Sequence, residues 1–161
     1  MQKKYIKTVL IIIFLVFIDQ ILKLLLIKNL NINEEFVIIN NFLKFIYIKN
    51  TGAAFGIFSG SSLLLIVVAS ILIWYLISEI KNNINSRLST LSLSLVLSGA
   101  FGNLIDRVFR GHVIDYISFT ILNKEMAIFN FADILITFGV LILIYIMIKE
   151  GKNEKDNNKS R

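Results

Sequence analysis

The feature that most constrains this chain is a set of four long apolar blocks separated by charged or turn-rich stretches. Residues 50–78, 88–105 and 134–148 contain no Asp, Glu, Lys or Arg. Each block approaches the roughly 20 residues that a helix needs to cross the ~30 Å hydrocarbon core of a bilayer. Closed barrels are the other spanning structure, but the blocks lack the alternating pattern of barrel strands. The sequence therefore predicts an all-α integral membrane protein with helices at about residues 5–27, 61–80, 88–109 and 133–149.

The composition agrees with this class and excludes several kinds of function. Of the 161 residues, 56% are apolar, which exceeds the roughly 45–50% of soluble domains. The chain has no Cys and a single His, which excludes thiol catalysis, Cys-type zinc sites and His-rich metal sites. We therefore expect no metal and no cofactor. The net charge of +6 does not indicate nucleic-acid binding, because the basic residues cluster at the chain ends and in the short connections.

The blocks define a single membrane domain over residues 1–150 and a polar, disordered cytoplasmic tail over 151–161. The first block follows three lysines, as a cleaved signal peptide would. No small-residue cleavage site follows it, however, and Asp19 and Lys23 interrupt it, so a retained helix is the better interpretation. Residues 35–58 differ from the blocks, because they are rich in β-prone side chains and contain an Asn-Thr-Gly turn. We interpret them as short extracellular strands at the membrane surface.

The distribution of Lys and Arg predicts the orientation, since cytoplasmic loops carry an excess of both. With the N-terminus inside, the inner segments carry ten basic residues and the outer segments six. The inner set is Lys3, Lys4, Lys7, Lys81, Arg87, Lys149, Lys152, Lys155, Lys159 and Arg161. The outer set is Lys28, Lys44, Lys49, Arg107, Arg110 and Lys124. Both termini are therefore expected in the cytoplasm.

Ionisable residues inside the spans are candidates for function, because a charge is costly within a bilayer. Asp19 and Lys23 are four residues apart and can pair on one face of the first helix. A mutually neutralised structural pair is an equally good interpretation of them. On the third helix, Gly99, Asn103 and Asp106 fall within about a 60° arc. A small residue on such a face indicates close helix packing, whereas Asn103 and Asp106 add polar groups near the outer end.

The predicted topology brings four carboxylates to the outer membrane face. Asp19 lies in the outer half of the first helix and Asp106 at the outer end of the third. Asp115 follows in the connection, and Asp133 opens the fourth helix. Two neighbouring carboxyls in apolar surroundings cannot both ionise readily, so they share one proton. The ionised member can then activate water while the protonated member polarises a carbonyl group. Hydrolysis by an aspartic pair is therefore the chemistry that this sequence best supplies.

The sequence around each carboxylate only partly indicates which two of the four form the catalytic pair. Asp106 is followed directly by Arg107, which indicates an ionised anchor for the loop. Asp115 lies in an apolar sequence that should raise the pKa of its carboxyl. Asp133 comes three residues after Asn130, a pattern typical of a helix N-cap with an acid in the first turn. Plain helix capping therefore remains an alternative to catalysis for Asp133.

Five motifs resemble, in the same order, those of the bacterial lipoprotein signal peptidases (signal peptidase II). The likeness covers about residues 5–150. The motifs are DQILK at 19–23, NTGAAFG at 50–56, SGAFGNLIDR at 98–107, GHVIDY at 111–116 and FNFAD at 129–133. The chain departs from the family pattern at Leu22, where Thr is usual, and at Ser98, where Gly is common.

The resemblance implies a membrane aspartic endopeptidase without a cofactor. Such an enzyme removes signal peptides from diacylglyceryl-modified prolipoproteins and cuts just before the lipid-modified cysteine. The catalytic dyad would be Asp115 and Asp133. The residues implied to shape and orient the site are Asp19, Lys23, Asn50, Asn103, Asp106, Arg107 and Asn130. No metal is implied.

The resemblance also implies a location and partners. The enzyme would lie in the bacterial cytoplasmic membrane, contact membrane lipids, and have its active site near the extracytoplasmic face, beneath a small β-cradle. Globomycin-type cyclic peptides would inhibit it. A small polytopic transporter or channel subunit is the alternative, and a non-enzymatic membrane assembly protein is a third possibility. A transporter would need polar residues through the inner half of the membrane as well, and the second and fourth helices offer almost none there.

Overall fold

The structure, a computed structural model, describes residues 2–52, 60–84 and 86–159, with side chains described through residue 152. Over these residues it contains four helices and four strands. The helices are α1 (Gln2–Asn29), α2 (Ser62–Asn83), α3 (Arg87–Arg110) and α4 (Phe131–Lys159). The strands are β1 (Glu35–Ile39), β2 (Leu43–Asn50), β3 (Val113–Ile121) and β4 (Lys124–Glu125).

All four helices are long and apolar enough to cross a bilayer, which confirms the four predicted spans. The surface of the bundle is also that of a membrane protein. Large apolar side chains, among them Phe14, Trp74 and Tyr145, are more than half exposed. Burying such side chains drives the folding of soluble domains, so their exposure here identifies the surface that faces lipid.

The third helix is the centre of the bundle. Half of the spanning part of α3 is buried, against 17% in each of the other three helices. It packs against α1, α2 and α4. With α2 it forms an apolar core that includes Ile73, Leu76, Val96 and Leu97. Asp106, near the C-terminal end of α3, is consequently completely buried.

Small residues allow α3 and α4 to approach each other closely. A Cβ atom on Gly99 would lie 2.6 Å from Cγ1 of Ile136 and closer still to the carbonyl oxygen of Ala132. On α4, a Cβ atom on Gly139 would lie 2.8 Å from the carbonyl oxygen of Ser92. The predicted packing role of the small residues on α3 is therefore confirmed.

The four strands form one antiparallel sheet in the order β1-β2-β3-β4. It follows the C-terminal ends of α1 and α3 and precedes the start of α4, so it covers the end of the bundle that holds the polar residues. The strands expected within 35–58 are confirmed as β1 and β2. Positions 53–58 of that segment lie outside the described residues.

The strands β3 and β4 were not predicted from the sequence, which indicated only a connection after the third helix at Asp115. The run Val113–Ile117 is β-branched and aromatic apart from Asp115, and those residue types favour strands. In the structure Ile48 of β2 pairs with Asp115 of β3. The strand was overlooked because its partner, β2, lies more than 60 residues earlier in the chain.

The expected disorder of the tail is wrong up to Lys159, because α4 continues through that residue. Lys and Glu, which are common after position 148, are good helix formers, so a preformed helix can extend into this polar sequence. The division into a domain at 1–150 and a tail at 151–161 stays a prediction.

The close contact between α3 and α4 gives a first testable prediction. Gly99→Ala should destabilise the protein by about 1–3 kcal/mol, because the new methyl group meets backbone of α4 that cannot move aside cheaply. Gly151→Ala is the matched control, since a Cβ there has no neighbour within 4 Å. Thermal unfolding in detergent measures both, and equal stability of the two variants would contradict the packing argument.

Candidate active site

A buried group of charges joins α1 to α3. The Nζ of Lys23 lies 2.8 Å from Oδ2 of Asp19 and 2.8 Å from Oδ2 of Asp106, and all three side chains are completely buried. The pairing predicted for Asp19 and Lys23 is therefore confirmed, with a second carboxylate added. Asp19 also accepts a hydrogen bond of 3.0 Å from the backbone N–H of Ala132, at the start of α4. One ion cluster thus fixes three helices relative to one another.

The expected pairing of Asp106 with Arg107 is wrong. The guanidinium that contacts Asp106 is that of Arg110, whose Nη1 lies 2.6 Å from Oδ1. Adjacent helical residues point about 100° apart, whereas residues four apart lie on the same face. Arg107 instead donates hydrogen bonds to the carbonyl oxygens of Asn103, at 3.3 Å, and Gly52, at 3.0 Å. Its role in the structure is to hold the segment that follows β2.

Asn103 connects the ion cluster to the start of α4. Its Oδ1 accepts hydrogen bonds of 3.2 Å from Nζ of Lys23 and from Nδ2 of Asn130. Its Nδ2 donates a bond of 2.8 Å to Oδ1 of Asp133. The side chain of Asp133 is thus held by a residue of α3 that lies about one helical turn before Asp106.

Asp133 also takes part in a reciprocal cap of α4. Its Oδ2 accepts the backbone N–H of Asn130 at 3.1 Å, and its own backbone N–H donates to Oδ1 of Asn130 at 3.0 Å. This exchange is the pattern of a capping box. The capping predicted from the sequence is confirmed, and only one of the two carboxylate oxygens takes part in it.

Asp115 projects from β3 into the same group of amides. Its Oδ2 accepts a hydrogen bond of 2.8 Å from Nδ2 of Asn50, and its Oδ1 accepts one of 2.7 Å from Nδ2 of Asn130. Burial raises the pKa of Asp115 to about 6, although the bonds from Asn50 and Asn130 oppose the rise; the nearby Asp133 carboxylate raises the pKa further. This agrees with the increase predicted from its apolar sequence context.

The fully buried residue Asn130 contacts both Asp115 and Asp133. One end of its side-chain amide donates to Asp115, and the other end accepts from the backbone of Asp133. Two carboxyls joined in this way, one with a raised pKa, can hold one proton between them. The structure therefore brings Asp115 and Asp133 together through Asn130, and Asn103 links Asp133 to Lys23 of the buried ion cluster.

The family model for signal peptidase (SPase) II matches residues 11–149 of the chain. The chain belongs to the signal peptidase II family. Similar relatives include the lipoprotein signal peptidases of Clostridium tetani and Staphylococcus aureus. The first is 41% identical over 148 residues, which cover 91% of this chain and 95% of that protein. The second is 34% identical over 162 residues, which cover 97% and 98%.

The fold agrees with family membership. A solved bacterial membrane enzyme superposes with a TM-score of 0.85 at 34% identity, and the match covers 91% of this chain and 90% of that one. The chain is therefore a membrane peptidase of an aspartic family, and the transporter alternative finds no support.

Two further residues belong to the buried cluster of this signal peptidase and were not selected from the sequence. Gln20 donates hydrogen bonds of 3.2 Å from Nε2 to Oδ1 of Asp106 and to the carbonyl oxygen of Gly102. Its Oε1 accepts one of 2.8 Å from Arg110. The signal was present in the sequence, since Gln20 is a polar residue beside Asp19 within a span. Arg110 could have been found from its position four residues after Asp106.

The raised pKa of Asp115 predicts a pH-dependent effect on stability. Because the folded protein favours the neutral acid, ionisation of Asp115 lowers the stability of the fold as the pH rises from about 4 to about 6. Asp115→Asn removes that penalty. The variant should therefore be more stable than the native protein at pH 7 by up to about 3 kcal/mol, reduced by the free energy of the hydrogen bond that Asn50 can no longer donate. The gain in stability should disappear near pH 4, since below that pH Asp115 is mostly neutral in both the folded and the unfolded protein.

Thermal unfolding in detergent between pH 4 and pH 8 measures this difference. Glu150→Gln is the control, because Glu150 is exposed and its replacement should shift the unfolding temperature little at any pH. An Asp115→Asn variant whose stability relative to the native protein does not change with pH would contradict the argument.

Proposed function

We propose that the carboxyls of Asp115 and Asp133 are the catalytic pair with which this membrane peptidase removes signal peptides from prolipoproteins. The observation that carries the proposal is the shared amide of Asn130. It donates to Oδ1 of Asp115 at 2.7 Å while accepting the backbone N–H of Asp133 at 3.0 Å. The backbone N–H of Asn130 also donates to Oδ2 of Asp133 at 3.1 Å, so one buried residue contacts both carboxyls.

In the proposed mechanism the pair holds a single proton. Asp115 is the member that carries it, because burial favours the neutral acid there, and with a pKa of about 6 the share of the protein in this form falls as the pH rises above 6. Asp133 is the base of the pair, and its carboxyl group is held by the side-chain amide of Asn103 and by the backbone N–H of Asn130. Asp133 accepts a proton from water as the water attacks the scissile carbonyl, and Asp115 donates a proton to the carbonyl oxygen. When the tetrahedral intermediate collapses, the bond to the amine breaks as Asp133 donates its proton to the departing amine. Asp115 takes back a hydroxyl proton from the intermediate, and the pair returns to its initial state.

The other predicted site residues are proposed to position this pair. Asn103 holds Asp133, and Asn50 holds Asp115. The residues of the buried ion cluster position the pair indirectly, because they fix α1 and α4 against α3. Arg107 holds the segment after β2 through the carbonyl oxygen of Gly52, which borders the site.

The substrate is proposed to be a diacylglyceryl-modified prolipoprotein that is cut just before the lipid-modified cysteine. An apolar cavity of about 460 Å³ between α1, β1 and β2 supports a lipid-bearing substrate, because its wall includes Leu26, Phe45 and Tyr116. Tyr116 directly follows Asp115 in β3. Globomycin-type cyclic peptides are proposed as inhibitors of the same site.

The proposed orientation places both termini in the cytoplasm and the catalytic pair near the extracytoplasmic face. The excess of basic residues in the inner segments supports this orientation. The sheet and the catalytic pair both lie at the end of the bundle where α1 and α3 end. The sheet is therefore on the same side of the membrane as the catalytic pair.

The catalytic assignment predicts that the pair acts as a unit. Asp115→Asn, Asp133→Asn and the double variant should lose cleavage to a similar extent, with effects that do not add. Each should still insert and bind substrate, because Asn keeps the shape of the side chain and lacks the titratable proton. Purified protein incubated with a lipid-modified prolipoprotein, with and without globomycin, measures this.

Glu125→Gln is the control, since Glu125 is an exposed carboxylate of the sheet that pairs with Lys44 and should matter little. Chelators should leave wild-type activity intact. Near-normal cleavage by either single Asn variant would remove that residue from catalysis. Loss of activity in chelator that zinc restores would replace the aspartic mechanism with a metal-assisted one.

The orientation is tested separately by labelling single cysteines. The chain has no native Cys, so Lys44→Cys and Lys152→Cys each provide one thiol. An impermeant reagent applied to intact cells should label position 44 and leave position 152 unlabelled. The opposite result would invert the topology without affecting the geometry of the catalytic pair.

A further inference from the structure

A basic cavity lies at the end of the bundle opposite to the catalytic pair. It has a volume of about 380 Å³ and lies between the first turns of α1 and the first turn of α3. Thr8 lines it, and Lys23 of the buried ion cluster follows 15 residues later in the same helix. At 1.5 Å per residue that separation is about 22 Å. The cavity is therefore independent of the catalytic site.

The charged residues that line this cavity are basic. Lys4, Lys7 and Arg87 line it, and none of the described residues in its wall is acidic. The side chains of Lys7 and Arg87 are exposed. Two helices that are adjacent in space but distant in sequence thus contribute cations to one concave surface, which favours an anionic ligand.

The cavity continues into the apolar surface of the bundle. Ile11 of α1 and Leu91 of α3 belong to its wall, and both are exposed on the membrane-facing side of their helices. A soluble anion would use only the basic end. A phospholipid matches both parts, because its phosphate can meet the cations while its acyl chains lie along the apolar residues. The volume lies within the roughly 300–1,000 Å³ of small-molecule sites.

We propose that this cavity binds the headgroup of an anionic phospholipid from the adjacent leaflet. Lys7 and Arg87 contact the phosphate, for which a guanidinium provides paired donors. Ile11 and Leu91 contact the first part of the acyl chains. The lipid would join the starts of α1 and α3, the same two helices that the buried ion cluster joins at their other end.

The test compares two lipids that share acyl chains and differ in headgroup charge. The purified full-length protein in detergent receives phosphatidylglycerol or phosphatidylcholine, and native mass spectrometry counts the bound lipid. The native protein should retain one phosphatidylglycerol at concentrations where phosphatidylcholine is lost. The double variant Lys7→Gln/Arg87→Gln should bind phosphatidylglycerol at least about tenfold more weakly.

A second double variant provides the matched control. Lys149→Gln/Lys152→Gln also removes two positive charges, but from exposed positions in the C-terminal part of α4 that lie outside the cavity wall. It should bind phosphatidylglycerol within about twofold of the native protein. The variant Lys7→Arg/Arg87→Lys keeps both charges in the cavity and should also bind phosphatidylglycerol. Binding by this variant would show that the loss in the Gln variant comes from the missing charges and not from a disturbed fold.

Inorganic phosphate distinguishes a lipid site from a general anion site. At millimolar concentration it should displace little phosphatidylglycerol, because it cannot contact Ile11 or Leu91. Three outcomes would overturn the proposal: phosphate that displaces the lipid completely, phosphatidylcholine that binds as tightly as phosphatidylglycerol, or equal losses in the two charge-removing double variants. The first would show that the cavity is a general anion site, and each of the other two would show that the bound lipid is not held by the cations of this cavity.

Discussion

The buried ammonium of Lys23 is the interaction on which the rest of the structure depends. It lies between the carboxylates of Asp19 and Asp106, and Arg110 supplies a second positive charge to Asp106. Two cations thus neutralise two carboxylates, and an unpaired charge would be costly in this buried position. Loss of one partner of such a buried group costs about 3–5 kcal/mol, because an uncompensated charge remains. The balance fixes α1 against α3, and the bond from Ala132 to Asp19 brings in the start of α4.

The ion cluster also determines how the amides of the site are oriented. An ammonium group can only donate, so Lys23 requires that Oδ1 of Asn103 face it. Nδ2 of Asn103 must then face Asp133. The same argument holds for Asn130, whose Oδ1 accepts a backbone N–H and whose Nδ2 therefore faces Asp115. The donors presented to the two carboxyls thus follow from a fixed ammonium and a helix cap.

Much of this could be predicted from the sequence, and each error has a definite physical cause. The pairing of Asp19 with Lys23 and the capping by Asn130 were predicted correctly, because both involve residues three or four apart in one helix. The partner of Asp106 was predicted wrongly, because adjacency in sequence was taken for proximity, whereas Arg107 points to a different side of α3 from Asp106. The strand β3 was missed because strand pairing is a long-range interaction that a local pattern shows only weakly.

The sequence by itself determined the four spans, the polar C-terminal end of α3 and the set of carboxylates from which a catalytic pair must come. An apolar block of about 20 residues has one stable arrangement in a bilayer, and charged residues within it must be satisfied inside the bundle. Only the tertiary structure decided which amide holds which carboxylate. Asn50 and Asp115 are 65 residues apart in the chain and 2.8 Å apart in space. That contact depends on the pairing of β2 with β3, which no local stretch of sequence specifies.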